Sequence, residues 1–320
     1  MTDATRAASP EVVSVTGLVK RYGETLALDH LDLHVSQGEI FGLLGPNGCG
    51  KTTAINCMLQ LLTYDRGSIS LFGEPMTPGR YDLKARVGVV PQQVAVLDEL
   101  TVRENVDAFC ALYVADSRRR RRLVDEALDF VGLSDHARSR PRRLSGGLLR
   151  RLNIACGISH RPELLFLDEP TVAVDPQSRN AILDGIRRLR DEGATVVYTS
   201  HYMEEVEQIC GRVMIMDEGR AHAEGTPDEL KRLIDVGEKI VVELAPPTED
   251  TLGQVRALEC VSRASYADGE LRVECVPAPH ALLDVLDALE EAGATCGRVW
   301  SEPPTLNDVF LELCGRELRD

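Results

Sequence analysis

The first stretch of the chain with a clear hydrophobic pattern runs from residue 11 to about residue 42. Apolar and polar side chains alternate there, as in VVSVTGLV and LDLHV, and Gly-Glu pairs separate the segments. A period of two is typical of strands with one buried face. The pattern therefore predicts an antiparallel β subdomain.

The pattern changes at Ile40, where alternation gives way to continuous apolar segments. IFGLLG leads into a glycine-rich turn, and apolar residues at 55, 58, 59 and 62 then follow the spacing of one buried helix face. Two further apolar segments, LLFLD and TVVYTS, flank an amphipathic helix, NAILDGIRRLRDEG, that ends at Gly193. Buried strands that alternate with helices predict a parallel α/β sheet.

A polar, helix-favouring region precedes LLFLD. Residues 101–160 intersperse Asp, Glu and Arg among apolar residues, and five consecutive arginines occupy positions 118–122. The region predicts an α-helical subdomain, and the arginine run is typical of a solvated helix face. Contact of the run with lipid headgroups or an acidic partner is the alternative interpretation.

A second domain is predicted after about Asp235. The predicted elements, in chain order, are a strand (KIVVEL), a helix (TLGQVRAL), a hairpin that turns at Asp268-Gly269 (SRASYADGELRVECV), a helix (HALLDVLDALEEAG), a strand (GRVW) and a last helix (TLNDVFLELCG). The order βαββαβ plus a helix matches the ferredoxin-like split βαβ unit. The predicted domains are 11–235 and 238–320, the second a small α+β domain.

The predicted C-terminal domain has enough apolar residues for a small core. Candidate members are Ile240, Val242, Leu283, Val285, Leu286, Leu289, Val309, Phe310 and Leu313. The spacing of Leu283, Leu286 and Leu289 predicts a helix pressed on a sheet. A chain of about 80 residues can fold alone, though marginally. A C-terminal extension packed on the first domain is the alternative interpretation.

Length and composition narrow the class of protein. At 320 residues the chain exceeds one typical domain of about 100 to 200 residues. A net charge of −15 and an aromatic content of 4% argue against a nucleic-acid partner, because an acidic surface repels phosphates and few rings can stack on bases. The nine cysteines lack C-x-x-C spacing and are expected to be core residues in a reducing cytoplasm. With neither a secretory signal nor a long apolar run, the chain is expected to be neither secreted nor membrane-spanning.

The glycine-rich turn contains a phosphate-binding motif. It consists of Gly45, Pro46, Asn47, Gly48, Cys49, Gly50, Lys51 and Thr52, which fit G-x-x-x-x-G-K-[ST], and the adjoining Thr53 is included among the predicted nucleotide-binding residues. The motif follows a predicted buried strand and opens a helix, the context that its mechanism requires. Backbone N–H groups would converge on phosphate oxygens, Lys51 would reach the β and γ phosphates, and the Thr52 hydroxyl would bind Mg²⁺. The chain is therefore predicted to bind a nucleoside triphosphate.

Two adjacent carboxylates, Asp168 and Glu169, end the apolar segment LLFL. This is the carboxyl end of a predicted strand, where ligands bind in open α/β sheets. Asp168 is predicted to hold Mg²⁺ directly or through water, and Glu169 to polarise the attacking water. The pair therefore predicts hydrolysis of the bound nucleotide.

The tetrapeptide LSGG at residues 144–147 selects the family. Its serine lies 94 residues after Lys51, and the tetrapeptide precedes the strand that carries the two carboxylates. In this order and spacing it resembles the LSGGQ signature of ABC ATPases. The resemblance implies a head-to-tail dimer, in which Ser145, Gly146 and Gly147 of one subunit cap the γ-phosphate held by the phosphate loop of the other.

Four more positions resemble the ABC pattern. Gln92 in VGVVPQQ resembles the glutamine that senses Mg²⁺ and communicates with the membrane subunit, and Asp175 in TVAVDP resembles the loop that joins the two sites. His201 after TVVYTS resembles the switch histidine that contacts the γ-phosphate, and Tyr22 in VKRYG resembles the aromatic residue on which adenine stacks. The resemblance thus implies Glu169, His201 and Gln92 as the catalytic group.

The resemblance covers residues 12 to about 230. The later segment PTLNDVFLELCG resembles the tail of daunorubicin-resistance-type exporter ATPases. The sequence departs from the family pattern at Leu148, where glutamine is usual, and at Ala173, where glycine is common. The first departure removes a polar side chain beside the signature loop, which implies slower turnover within the same class.

The resemblance implies a P-loop NTPase fold of the ABC class and an ATPase subunit that uses ATP and Mg²⁺. It further implies a homodimer or an ABC heterodimer at the cytoplasmic face of the membrane, which drives a separate membrane-spanning subunit, favoured to be an exporter. The C-terminal domain is expected to regulate or stabilise the dimer without contacting ATP. A soluble ABC ATPase of translation or DNA repair is the main alternative, and a nucleotide-gated binding module without turnover is the second.

Overall fold

The computed structural model describes residues 10–315, which divide into two compact units, 10–227 and 228–315. The division falls where a short helix begins, a few residues before the predicted boundary. Residues 316–320 of the predicted C-terminal domain lie outside the described residues. In residues 10–315, each helix is too short or too polar to cross a lipid bilayer.

The elements of the first unit alternate between strands and helices as the sequence pattern predicts. In chain order they are β1 (Glu11–Tyr22), β2 (Thr25–Ser36), β3 (Ile40–Leu44), α1 (Lys51–Met58), β4 (Arg66–Leu71), β5 (Glu74–Pro75), α2 (Tyr81–Lys84), β6 (Val87–Val90), α3 (Val102–Ala111), α4 (Ser117–Phe130), α5 (Gly146–Ile158), β7 (Leu164–Asp168), α6 (Pro176–Asp191), β8 (Thr195–Ser200), α7 (Met203–Ile209), β9 (Arg212–Asp217) and β10 (Arg220–Gly225). The helix α8 (Pro227–Lys231) lies at the division.

Two sheets form the first unit. The antiparallel sheet has the order β2-β1-β4-β5, and the larger sheet has the order β10-β9-β3-β8-β7-β6. Strands β9, β3, β8, β7 and β6 run parallel, and β10 is antiparallel to β9. Every residue of β3, β7 and β8 is buried, which is typical of parallel strands covered on both faces. The continuous apolar segments therefore form the centre of the parallel sheet.

One apolar core joins the two sheets and the helix that follows the phosphate-binding motif. Val15 and Leu33 of the antiparallel sheet, Phe41 and Leu43 of β3, and Met58 of α1 all belong to it. Because α1 buries its apolar face in this core, the loop before it is held rigidly against β3. Packing of β3 and α1 on either side therefore sets the position of the loop.

The region between β6 and β7 is helical, as predicted. Helix α4 buries Leu123, Val124, Ala127 and Leu128 along one face. Four of the five consecutive arginines are exposed, and Arg120 instead pairs with Asp107 at 2.9 Å. The run thus lies on a solvated helix face.

The second unit contains a four-stranded antiparallel sheet with helices. Its elements are β11 (Lys239–Leu244), α9 (Glu249–Arg256), β12 (Val261–Ala267), β13 (Glu270–Cys275), α10 (Ala281–Glu291), β14 (Cys296–Glu302) and α11 (Leu306–Cys314). The sheet order is β12-β13-β11-β14. The sequence of elements is βαββαβ plus a helix, in the order read from the sequence.

One predicted core residue of this unit was wrong. Leu283 is 54% exposed, whereas Ala281, Val285 and Leu289 are buried on α10. These three are four residues apart and share a helix face, but Leu283 is turned about 200° from Val285 at 3.6 residues per turn. Leu286 is partly buried at the edge of the core. The face that packs is therefore set by positions 281, 285 and 289.

Candidate functional site

The phosphate loop is shaped by glycines at positions where a side chain cannot fit. A Cβ at Gly45 would lie 2.2 Å from the carbonyl oxygen of Met216. Gly50 has φ of 112°, and a Cβ there would lie 2.7 Å from the carbonyl oxygen of Ala27. The Cys49 N–H donates to the Pro46 carbonyl at 3.2 Å, which closes the turn. Helix α1 begins directly afterwards, so its N-terminal partial positive charge faces the loop.

Lys51 is buried and fully engaged by groups of the candidate site. Its Nζ donates to the carbonyl oxygens of Gly45 at 2.7 Å and Pro46 at 3.1 Å. The same Nζ lies 3.5 Å from Oε1 of Glu169. A buried ammonium needs such compensation, because removing it from water is costly. The structure thus concentrates positive charge between the phosphate loop and the carboxylate of Glu169.

Thr52 and Asp168, the predicted magnesium ligands, are in direct contact. The Thr52 hydroxyl donates to Oδ2 of Asp168 at 2.8 Å, and the Thr199 hydroxyl donates to Oδ1 of Asp168 at 2.7 Å. Hydroxyl, carboxylate and amide oxygens are hard donors, so Thr52, Asp168 and Gln92 together fit a hydrated Mg²⁺. Thr199 was not among the predicted residues. Four of the six residues of β8 carry hydroxyls, so the sequence gives no local signal that singles out Thr199.

Glu169 is the residue on which the predicted site converges. Its carboxylate accepts a hydrogen bond from Nε2 of Gln92 at 2.8 Å and lies 3.3 Å from Nδ1 of His201. The Glu169 N–H donates to the Thr199 hydroxyl at 3.0 Å. Its φ of 47° lies in the left-handed region, which costs free energy for a residue with a Cβ. The packed ends of β7 and β8 hold this strained conformation.

Helix α5 fixes the loop that carries Gln92. Nη1 of Arg150 donates to the carbonyl oxygens of Pro91 at 3.2 Å and Gln92 at 2.8 Å. Nδ2 of Asn153 donates to the Pro91 carbonyl oxygen at 3.2 Å, and Oδ1 of Asn153 accepts from the Ala95 N–H at 3.1 Å. Burial lowers the pKa of Arg150, and the carboxylates of Glu169 and Asp168 oppose that shift. Neither Arg150 nor Asn153 was predicted, although two polar side chains three residues apart on a mostly apolar helix are a usable signal.

The signature tetrapeptide forms a separate cluster with the Asp175 loop. Ser145 is the N-cap of α5 and accepts from the Leu148 N–H at 3.4 Å, while Ser145 and Gly146 are both exposed. Gly147 is buried, and a Cβ there would lie 2.5 Å from Oγ of Ser178. Asp175 caps α6, and the Ser178 N–H that donates to it holds the pKa of its carboxyl below the usual range. Across residues 10–315, no hydrogen bond or ion pair joins Ser145, Gly146 or Gly147 to the phosphate loop.

Three further positions singled out in the sequence are Tyr22, Ala173 and Leu148. Tyr22 ends β1 with its ring 48% exposed and 5.0 Å from Nζ of Lys20, and within the described part of the chain no hydrogen bond or ring contact joins it to the phosphate loop. Ala173 has φ of 58°, a conformation that favours glycine. The departure from the family glycine at this position therefore adds backbone strain beside Asp175. Leu148 is half-buried and contributes only its N–H to the Ser145 cap.

A parallel sheet, a P-loop, paired carboxylates at the end of β7 and an LSGG helix start define an ABC-type ATPase. The profile of the family described as ABC transporter matches residues 28–172. The chain belongs to the ATP-binding subunits of ABC transporters, and it is an ATPase of that class.

Similar proteins cover nearly the whole chain. The daunorubicin resistance ATP-binding protein DrrA3 of Streptomyces coeruleorubidus is 39% identical over 310 residues, 96% of this chain and 97% of the relative. The Nod factor export ATP-binding protein I of Ralstonia nicotianae is 37% identical over 98% of this chain and 96% of the relative. Among solved structures, the dimeric ATP-binding cassette MJ0796, in a post-hydrolysis state with ADP and Pi, has a TM-score of 0.62 and 25% identity over 67% of this chain and 98% of that one. The predicted resemblance to daunorubicin-resistance ATPases is confirmed.

Proposed function

We propose that this chain hydrolyses ATP with Mg²⁺ as part of a dimer and thereby drives a separate membrane-spanning subunit that exports its cargo. The observation that supports this best is the position of Glu169. Its carboxylate lies between Gln92 at 2.8 Å, His201 at 3.3 Å and Lys51 at 3.5 Å. A carboxylate that is hydrogen-bonded to Gln92 and close to both His201 and Lys51 is suited to orient water beside the phosphate that Lys51 would hold.

The proposed roles of the other site residues follow from the chemical groups that they carry. Lys51 and the backbone N–H groups of the loop from Gly45 to Thr53 would bind the β and γ phosphates. Thr52, Asp168 and Gln92 would hold Mg²⁺, which supplies neutralisation of the charge that develops on the phosphates. His201 would donate a hydrogen bond to the γ-phosphate, and Tyr22 would stack on adenine.

The exposed signature cluster supports a head-to-tail dimer. Ser145 and Gly146 are exposed, and in residues 10–315 no hydrogen bond or ion pair joins them to the phosphate loop of their own chain. A symmetric pair would place the Ser145 cluster of each subunit on the ATP of the other, with two nucleotides in one isologous interface. A homodimer and a heterodimer with a second ABC ATPase both satisfy this geometry.

Export at the cytoplasmic face of the membrane is supported by the similar proteins. One is named for daunorubicin resistance and another for Nod factor export. The loop of Gln92 is the proposed contact with the membrane subunit. Membrane proteins that co-purify with the intact chain and accelerate its ATP hydrolysis would support this partner. Acceleration of ATP hydrolysis by a ribosomal or DNA-repair assembly instead would favour the soluble alternative.

The test of the chemistry and the dimer uses Glu169→Gln, which keeps the side-chain shape and removes the base. This variant is expected to bind ATP, to hydrolyse it about a thousandfold more slowly, and to elute as a dimer with ATP and Mg²⁺. Hydrolysis by Glu169→Gln at the wild-type rate would contradict the role given to this carboxylate.

The matched interface variant is Ser145→Asp in the Glu169→Gln background. Aspartate retains the N-cap of α5 but places a negative charge against the γ-phosphate of the partner subunit. The double variant is expected to bind ATP and remain monomeric, while Ser134→Asp, at an exposed position of the same region, should leave the dimer intact. A dimer that forms equally well with Ser145→Asp would exclude this interface.

A further inference from the structure

A second buried carboxylate lies near the candidate site and has no part in the proposed chemistry. Glu205 of α7 is only 2% exposed. Its Oε2 accepts hydrogen bonds from the hydroxyls of Tyr198 and Thr171, both at 2.6 Å, and from that of Ser200 at 3.3 Å. Its Oε1 lies 3.2 Å from Nε of Arg179. Removing a carboxylate from water is costly, and here the three hydroxyl donors and the nearby guanidinium offset that cost.

The four partners of Glu205 come from three different segments. Thr171 lies two residues after Glu169, and Tyr198 and Ser200 belong to β8, directly before His201. Arg179 is in the first turns of α6, whose N-cap is Asp175. One carboxylate therefore ties together the chain after the candidate base, the chain before the candidate switch histidine, and the helix after the Asp175 loop.

Ring contacts extend this network to His201. The guanidinium of Arg179 lies 5.0 Å from the ring centroid of Tyr202, within cation–π range. The rings of Tyr202 and His201 have centroids 4.1 Å apart. The Tyr202 N–H also donates to the Ser200 hydroxyl at 2.9 Å, which fixes the turn that carries His201. The imidazole that lies 3.3 Å from Glu169 is thus in contact with a ring that Arg179 and Ser200 hold.

We propose that Glu205 is a positioning residue for ATP hydrolysis, which holds Glu169 and His201 in register by anchoring the segments 169–171 and 198–202 to α6 and α7. The inference rests on the proposed roles of Glu169 and His201. Glu205 acts through these residues and does not contact the nucleotide. A change at Glu205 should therefore alter the chemical step and leave the phosphate loop, with its bound ATP, unaffected.

The test compares Glu205→Gln with Glu204→Gln in the full-length protein by steady-state ATP hydrolysis over a range of ATP concentrations. Both variants remove one negative charge from α7, but Glu204 is exposed. In Glu205→Gln one carboxylate oxygen becomes an amide nitrogen, which cannot accept a hydrogen bond, and the ion pair with Arg179 is lost. We therefore expect the turn that carries His201 to shift. We expect kcat to fall about ten- to a hundredfold while the KM for ATP changes less than about twofold, since small misplacements of reacting groups have effects of this size. Glu204→Gln should behave as wild type.

A spectroscopic readout separates positioning from general stability. The chain has seven histidines, so the imidazole resonance of His201 can be assigned by its loss in His201→Ala. Glu205→Gln should move this resonance and Glu204→Gln should not. A lower Tm for Glu205→Gln with unchanged kcat and an unmoved His201 resonance would overturn the proposal.

A milder variant keeps the test decisive if Glu205→Gln does not fold. Tyr198→Phe removes one donor to Glu205 and retains the buried ring. It should lower kcat several-fold and move the His201 resonance in the same direction, and wild-type values for both would overturn the proposal. Wild-type protein that does not hydrolyse ATP would instead contradict the proposed function, so the two failures are distinguishable.

Discussion

The two units of the chain use sheets of opposite kind, and only the first collects the predicted site. Strands β3, β7 and β8 are parallel and buried on both faces, so their carboxyl ends lie along one edge. Asp168 ends β7 and Glu169 follows it, His201 follows β8, and the phosphate loop follows β3. In the second unit, β11 and β13 alternate buried and more exposed residues, and neighbouring strands run in opposite directions.

The difference explains why the predicted nucleotide site lies in one unit. A parallel sheet brings chain segments far apart in sequence to a single edge, where loops can share a ligand. An antiparallel sheet with hairpin connections sends successive strand ends to opposite edges and covers one face with helices. We therefore expect changes in the first unit to alter ATP binding and turnover, and changes in the second to alter stability or assembly.

The sharpest test of this division replaces a lysine in each unit. Lys51→Ala should weaken ATP binding by about a hundredfold, or about 3 kcal/mol, because charge-assisted contacts to the phosphates are lost. Lys239→Ala, which removes an ion pair with Asp308 in the second unit, should leave ATP affinity unchanged. Calorimetric titration with ATP measures both, and equal losses would show that the units do not divide their roles in this way.

A comparison within α10 tests how the second unit is held together. Leu289→Ala should lower the free energy of unfolding of this unit by about 2–5 kcal/mol, because Leu289 is fully buried. Leu283→Ala should change it by less than about 0.5 kcal/mol, since Leu283 is exposed. Denaturant titration measures both variants. A large effect at Leu283 would mean that a further surface covers this side chain.

Arg150→Met tests the contact between α5 and the loop of Gln92. The variant keeps much of the side-chain volume but removes both hydrogen bonds to the loop carbonyls. We expect kcat for ATP hydrolysis to fall about tenfold with little change in ATP affinity, because the loop of Gln92 is released while the phosphate loop is untouched. Arg121→Met, on the exposed face of α4, is the control. A wild-type kcat for Arg150→Met would assign this arginine a purely structural role.

The smallest effect on ATP binding is expected from removal of the second unit. A chain truncated after Val236 should bind ATP with nearly unchanged affinity, because every predicted nucleotide residue lies at or before His201. Its dimerisation or its coupling to a membrane partner should change instead, as measured by light scattering with ATP and Mg²⁺. Loss of ATP binding by a truncated protein that is still folded would show that the units are not separable.

Local pattern was sufficient to predict much of the first unit. Segments rich in apolar residues and nearly free of charge identified β3, β7 and β8, because strands covered on both faces exclude charged side chains almost entirely. The spacing of glycines and Lys51 identified the phosphate loop, since few other residues permit its backbone conformation. These features are local in sequence, so no knowledge of distant contacts was needed.

Tertiary structure alone decided which distant residues support the site. The sequence predicts Gln92, Glu169 and His201 as separate motifs, but their contacts arise only when β6, β7 and β8 pair in parallel. No local motif marks Arg150, Thr199 or Glu205. Arg150 and Thr199 have partners that are 30 or more residues away in the sequence. Glu205 has partners in three separate segments. Leu283 was assigned to the wrong face for the same reason. Periodicity shows that a helix has an apolar side, whereas packing determines which residues it buries.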